Sequence, residues 1–162
     1  MSETRSNRDY LTAHWLEVYV HVKNKNPDEV LAAFVEPEVV EKWFVEECRF
    51  AGRAGGELYW KWWDGMEETA LVREYEPGKK LVCEWNAGEG IRTTFTMTLE
   101  WLPDKNATRL TLREGPFPCT EAGMKAFSDI ATGWGHEFLA LRMFLEHGID
   151  TRHRWNEGTG GM

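Results

Sequence analysis

The run from Ala122 to His147 constrains this chain more than any other stretch. Advancing 100° per residue, Phe127, Ile130, Ala131, Trp134, Phe138, Leu141 and Leu145 fall in one stripe about 100° wide, the pattern of a helix that buries a single face. No other segment is both as long and as periodic. Most of what precedes it alternates like strand, so the helix must lie across a sheet. Gly133 and Gly135 flank Trp134, and each lowers helix stability by about 1 kcal/mol relative to Ala. Glycines at that point predict a bend, or a group that must come close.

The strands can be read in order. In HWLEVYVHVK, Leu16, Val18, Val20 and Val22 share one face, with Glu17, Tyr19 and His21 on the other. Asn26 is a helix N-cap with Pro27 in the first turn and Asp28 and Glu29 at the positive end of the dipole; Pro37 then restarts a second short helix through Trp43 and Phe44. From Cys48 onward the pattern is strand after strand. Leu58, Trp60 and Trp62 share a face before the Asp64-Gly65 turn. Then come TALVREYE and the Pro77-Gly78 turn, KKLVCEWN with Leu81, Cys83 and Trp85 together, and TTFTMTLEW with Phe95 and Met97 together. TRLTLREG follows, and Gly115-Pro116-Phe117-Pro118 is predicted to break the chain before the long helix, whose N-cap is Thr120. Short connections predict an antiparallel meander. The fold class is α+β: a curved antiparallel seven-stranded sheet wrapped around one long C-terminal helix, with two short helices after the first strand.

Composition matters at three points. Nine Trp and eight Phe are more rings than a small core needs as filler, and suit either a packed core or a cavity wall. A net charge of −8 without a basic cluster excludes nucleic acid and anionic membrane as expected partners. Three widely spaced cysteines fit reduced thiols. With no leader-like or membrane-spanning stretch, the expected location is the cytoplasm.

Several segments together resemble a known family: the first strand followed by NPDEVLAAFVEPEVVEKWF; GGELYWKWW; VREYEPGKKLVCEW; FTMTLEW before TRLTLREG; and the Gly133-Trp134 pair. In that order, from His14 to Ile149, they resemble the START/SRPBCC superfamily. The branch is the one related to the C-terminal domain of the heat-shock-protein-90 ATPase activator. The resemblance implies a helix-grip fold with a hydrophobic cavity between sheet and last helix. It implies binding of lipids, sterols, polyketides or other apolar molecules, cyclase or hydrolase activity in a minority, and no shared catalytic set. The chain then divides into a disordered arm over 1–11, a START-like helix-grip domain over 12–149, and a mobile tail over 150–162 with Trp155 as its one apolar group.

The candidate cavity wall is Leu58, Trp60, Trp62, Leu81, Trp85, Phe95, Met97, Phe127, Trp134, Phe138 and Leu141. Inward stripes of this kind also make solid cores, and on spacing alone that is the commoner outcome; the resemblance implies the cavity. Glu137 and Arg142 lie on opposite edges of the helix stripe and, with Glu74, are candidate polar contacts to a small apolar, cyclic ligand. No hydrolase, phosphate-loop or metal-ligand motif occurs, so no catalytic residue, metal or cofactor is expected. Two alternatives stay open. One is a cyclase- or hydrolase-type enzyme using Glu74 or Glu114 as cavity acids. The other is a chaperone co-regulator or interaction module, with a homodimer through the back of the helix at His136, Leu139 and Met143.

Overall fold

The computed structural model describes residues 13–152; the arm over 1–11 and the tail beyond Arg152, Trp155 included, lie outside the described residues. Seven strands form one antiparallel sheet: β1 (Ala13–Lys23), β2 (Glu47–Phe50), β3 (Glu57–Lys61), β4 (Glu67–Glu76), β5 (Lys80–Asn86), β6 (Arg92–Leu102) and β7 (Ala107–Pro118). The spatial order is β1-β7-β6-β5-β4-β3-β2. Strands β2 to β7 are therefore a meander, while β1 closes the far edge against β7. Helices α1 (Pro27–Val35) and α2 (Pro37–Val40) carry the chain from one edge of the sheet to the other, and α3 (Glu121–His147) lies across its inner face. This is the helix-grip arrangement. No helix is long and apolar enough to cross a membrane.

Local chemistry sets the element ends as the residues predict. Asn26 and Glu29 form a reciprocal capping box, each side chain accepting from the other's backbone N–H at 2.9 Å. Thr120 caps α3 by accepting from the Gly123 N–H at 3.0 Å, and Gly148, at φ +67°, ends it.

Three features depart from expectation. The Gly-Pro-Phe-Pro segment does not break β7, which continues to Pro118. Its pairing with β6 ends at Gly115, and only β1 accompanies it beyond, so a missing N–H leaves no ladder gap on that side. Helix α3 runs through Gly133 and Gly135 without interruption, and a Cβ added at either meets nothing within 4 Å. No protein group approaches there. Gly135→Ala should therefore stabilise the fold by about 1 kcal/mol, measured by chemical denaturation, through helix propensity alone. Third, Arg152 is anchored: its guanidinium donates to Val45 O at 2.6 Å and Glu41 O at 2.8 Å, and pairs with Asp150 at 3.0 Å. The described start of the segment expected to be free, up to Arg152, is thus tied to residues 41–45, which follow α2.

The helix is not centred on the sheet. It packs on β1 and β7, and α1 and the residues after α2 fill in beside it. Along β3 to β5 the inward residues Leu58, Trp60, Ala70, Val72, Leu81 and Cys83 are all buried, and the concave face opens only at one end, past Trp62 and Trp85.

Candidate functional site

Aromatic packing builds the centre. Trp60 on β3 stacks on Phe95 of β6 (centroids 6.2 Å, planes 11° apart) and meets Phe44, Trp62, Trp85 and Trp134 edge-on at 5.0 to 6.4 Å. A buried indole N–H needs an acceptor. Trp60 donates to Phe34 O at 3.1 Å, which fixes α1 to the sheet, and Trp43 donates to Ala33 O at 2.8 Å, which fixes α1 to the turn after α2.

The other two buried indoles converge on one carboxylate. Glu114, fully buried on β7, accepts from Trp134 Nε1 at 2.8 Å through Oε1, and from Trp85 Nε1 at 2.9 Å and Thr93 Oγ1 at 2.7 Å through Oε2. Strand alternation puts Glu114 on the same face as Leu110 and Leu112, so the position is inward by register. Burial pushes its pKa above the usual carboxylate value, while the three donors pull the other way. One side chain thus joins β5, β6, β7 and α3.

Above Trp85 and Trp134 the rings stop interlocking. A cleft of about 380 Å³ opens between α3 and the ends of β3 and β5. Its apolar wall is Phe44, Trp62, Met66, Trp85, Ile130 and Trp134; Asn86, Ala87 and Gly88 form one rim, and Gly133 leaves the helix side unfilled. Its charged lining is acidic: Glu68, Asp129 and Glu137. Glu137 is half-buried, and burial lifts its pKa to about 7 against a lowering influence from Arg152. Glu68, also half-buried, is raised by burial.

Of the expected wall, Trp62, Trp85 and Trp134 meet at this cleft, and of the expected polar contacts Glu137 does. Leu58, Trp60, Leu81, Phe95, Met97, Phe138 and Leu141 are buried in solid packing beneath or beside it. Phe127 packs edge-on against Phe117 at 5.5 Å, away from the cleft. Glu74 is exposed and pairs with Lys80 at 2.8 Å. A bulge in β4 is the reason: the register slips between Val72 and Glu74, so Glu74 faces outward opposite Val82 instead of continuing the face of Ala70 and Val72. Arg142 pairs with Glu146 at 3.6 Å towards the far end of α3, with a buried Nε that has no partner among the described residues. Sequence spacing does not single out Phe44, Met66, Glu68 or Asn86 to Gly88, because they come from turns and strand ends that periodicity does not position.

The family model described as Activator of Hsp90 ATPase homolog 1-like protein matches residues 24–146. Among solved structures, DynU16, described as a protein in the dynemicin biosynthetic locus, is similar at a TM-score of 0.71 and 26% identity. The match covers 84% of this chain and 48% of DynU16, so the chain spans about half of it. Aha1 from Colwellia psychrerythraea, described as a dimer in solution, is similar at 0.69 and 19% identity, over 83% of this chain and 98% of that one. CalU16 from Micromonospora echinospora is similar at 0.67 and 19% identity, over 84% and 78%. No curated protein matches.

Proposed function

The chain belongs to the Activator of Hsp90 ATPase homolog 1-like family, a branch of the START/SRPBCC superfamily, and from that premise we propose that it binds a small apolar, cyclic molecule in the cleft beside α3. The observation that supports this is the cleft itself. Four aromatic side chains border about 380 Å³ of space, and the helix presents Gly133 to it, with nothing within 4 Å of where a Cβ would stand. Pockets that take small ligands are of this size and mostly apolar, with few polar groups. DynU16 and CalU16 share the fold, and the first is tied by its description to a biosynthetic locus. No ligand carries over from either.

Gly133→Phe tests the reading. A side chain there meets no protein atom within 4 Å, so the fold should tolerate it while the ring occupies the cleft. Affinity for neutral naphthalene-type probes, followed by tryptophan quenching, should fall at least about tenfold, a loss of about 1.4 kcal/mol. Unchanged affinity would show that the probes bind elsewhere.

Two further readings have one observation each. An acid–base enzyme is favoured by Glu137, a carboxyl titrating near neutrality inside an aromatic cleft, and no longer by Glu74, which is outside it, or Glu114, whose two oxygens are both engaged. A homodimer through the outer face of α3 is favoured by Leu139, which is 61% exposed beside exposed His136. Single exposed apolar residues are common on monomers, so this reading ranks last.

A further inference from the structure

Resting on the cleft as the binding site, we propose that its occupant carries a positively charged nitrogen, held between the tryptophan rings and the carboxylates of Glu137 and Glu68. The molecule bound is then an apolar amine or quaternary ammonium rather than a neutral lipid.

The lining is selective in sign. Glu68, Asp129 and Glu137 are its titratable groups, and no Lys, Arg or His belongs to it. Asp129 is compensated by Lys125 at 3.1 Å. Glu68 and Glu137 have no side-chain hydrogen bond or ion pair among the described residues. The cation whose field reaches Glu137 is Arg152, and its guanidinium is already taken up by Asp150, Val45 O and Glu41 O. A half-buried carboxylate against aromatic rings lacks the solvation it had in water and needs a partner or a proton. A guest cation supplies the partner.

The walls fit the same guest. Aromatic rings attract cations through their quadrupoles, indole most strongly, and aromatic enclosures with an acid nearby are how proteins hold quaternary ammonium groups. Trp85 and Trp134 cannot rotate away, because Glu114 holds both ring nitrogens. Their polar edges are thus turned to the interior, and the cleft sees ring carbon and carboxylate. An anionic guest would meet three acids, and a neutral one would leave two of them unpaired.

Three probes separate the charges: (naphthylmethyl)trimethylammonium, its neutral isostere with carbon in place of nitrogen, and naphthoate. Binding is read by tryptophan quenching and calorimetry on the full chain. At about pH 8 the cation should bind at least about tenfold more tightly than the isostere, with naphthoate weakest. At about pH 5.5 that preference should fall to about threefold or less. The quaternary nitrogen does not titrate, so the change reports the carboxyls that face the site: Glu137 and Asp129 from α3, Glu68 from β4 and, under the indoles, Glu114, set against Arg152. Glu137→Gln should cut the cation-to-neutral ratio to about threefold at pH 8, and Glu68→Gln should lower it less. Should Glu137→Gln not fold, as judged by circular dichroism, the Glu68 variant and the native pH profile carry the test. If the isostere binds as tightly as the cation, the charge assignment is overturned and the cleft stands. If none of the three binds, or Gly133→Phe binds all as well as the native chain does, the cleft reading falls, and this one with it.

Discussion

Glu114→Ala is expected to destabilise the protein by about 4 kcal/mol or more. The substitution removes the acceptor for three buried donors at once: Trp85 Nε1, Thr93 Oγ1 and Trp134 Nε1. Each donor left unpaired costs about 1–3 kcal/mol, and the deleted side chain leaves a void in a position with no solvent exposure. For a domain of this size that corresponds to a fall of roughly 8–16 °C in Tm. Glu114→Gln should cost about half as much. Its carbonyl can still serve the two donors that share Oε2, but its amide nitrogen faces the Trp134 N–H. Thermal and urea unfolding of the three proteins decide the matter. A loss in Glu114→Ala below about 1 kcal/mol would mean that the indoles find other acceptors and that the carboxylate does not organise the floor of the cleft.

The same comparison has a pH signature. Burial places the folded-state pKa of Glu114 above its ordinary 4.5, so the folded form holds its proton more tightly than the unfolded form. Stability then falls as pH rises from the ordinary value up through the raised one, and levels off once the group is ionised in both states. Gln does not titrate. The margin of the native protein over Glu114→Gln is therefore widest in mild acid and narrows towards neutrality. The physical reading is a carboxylate kept for its geometry: two lone-pair-bearing oxygens that aim two indoles at one point, which no apolar side chain can do.

Much of this was legible in the residues, for identifiable reasons. Alternation placed Leu58, Trp60, Leu81, Phe95 and Met97 inward because the side-chain period of a strand is two, whereas Glu114 was only an alternative cavity acid until the register of β7 put it on the face of Leu110 and Leu112. The 3.6-residue stripe placed Trp134, Phe138 and Leu141 under α3. What a period cannot give is height along the strand. Trp60 and Trp62 share a face, yet Trp60 is interlocked from every side while Trp62, one step past the end of β3, borders open space. A period also fails at a bulge, which turned Glu74 out to Lys80. The lateral position of α3 decided where the cleft lies, because the helix rests on β1 and β7 and reaches the β3 and β5 side through Trp134, leaving only the ends of those strands open. That offset comes from side-chain volumes and from the anchoring of α1 by Trp43 and Trp60, neither of which has a sequence period.

The second large effect concerns a residue with no side chain. Gly123→Ala should destabilise the fold by at least about 3 kcal/mol, although the same change at Gly135, on the same helix, should stabilise it by about 1 kcal/mol. Propensity favours Ala over Gly at both positions, so the difference in sign must come from surroundings. At Gly135 an added Cβ meets nothing within 4 Å. At Gly123 it would lie far inside van der Waals contact with the Pro118 carbonyl oxygen and 2.8 Å from the ring Cγ of that proline. Neither atom can retreat. Pro118 is the last residue of β7 and is paired with Ala13 on β1, and Cys119 and Thr120 alone separate it from the first residue of α3, too short a link to take up a displacement. The start of the helix would have to lift from the strand end, losing the Thr120 cap on the Gly123 N–H and the packing of Ala126, which is 1% exposed. Urea midpoints of the two variants measured together test this, since any general effect of alanine in α3 cancels. Equal and positive shifts would mean that the strand-to-helix corner is pliable, and that the long helix is gripped by its apolar face alone rather than also being held at its origin.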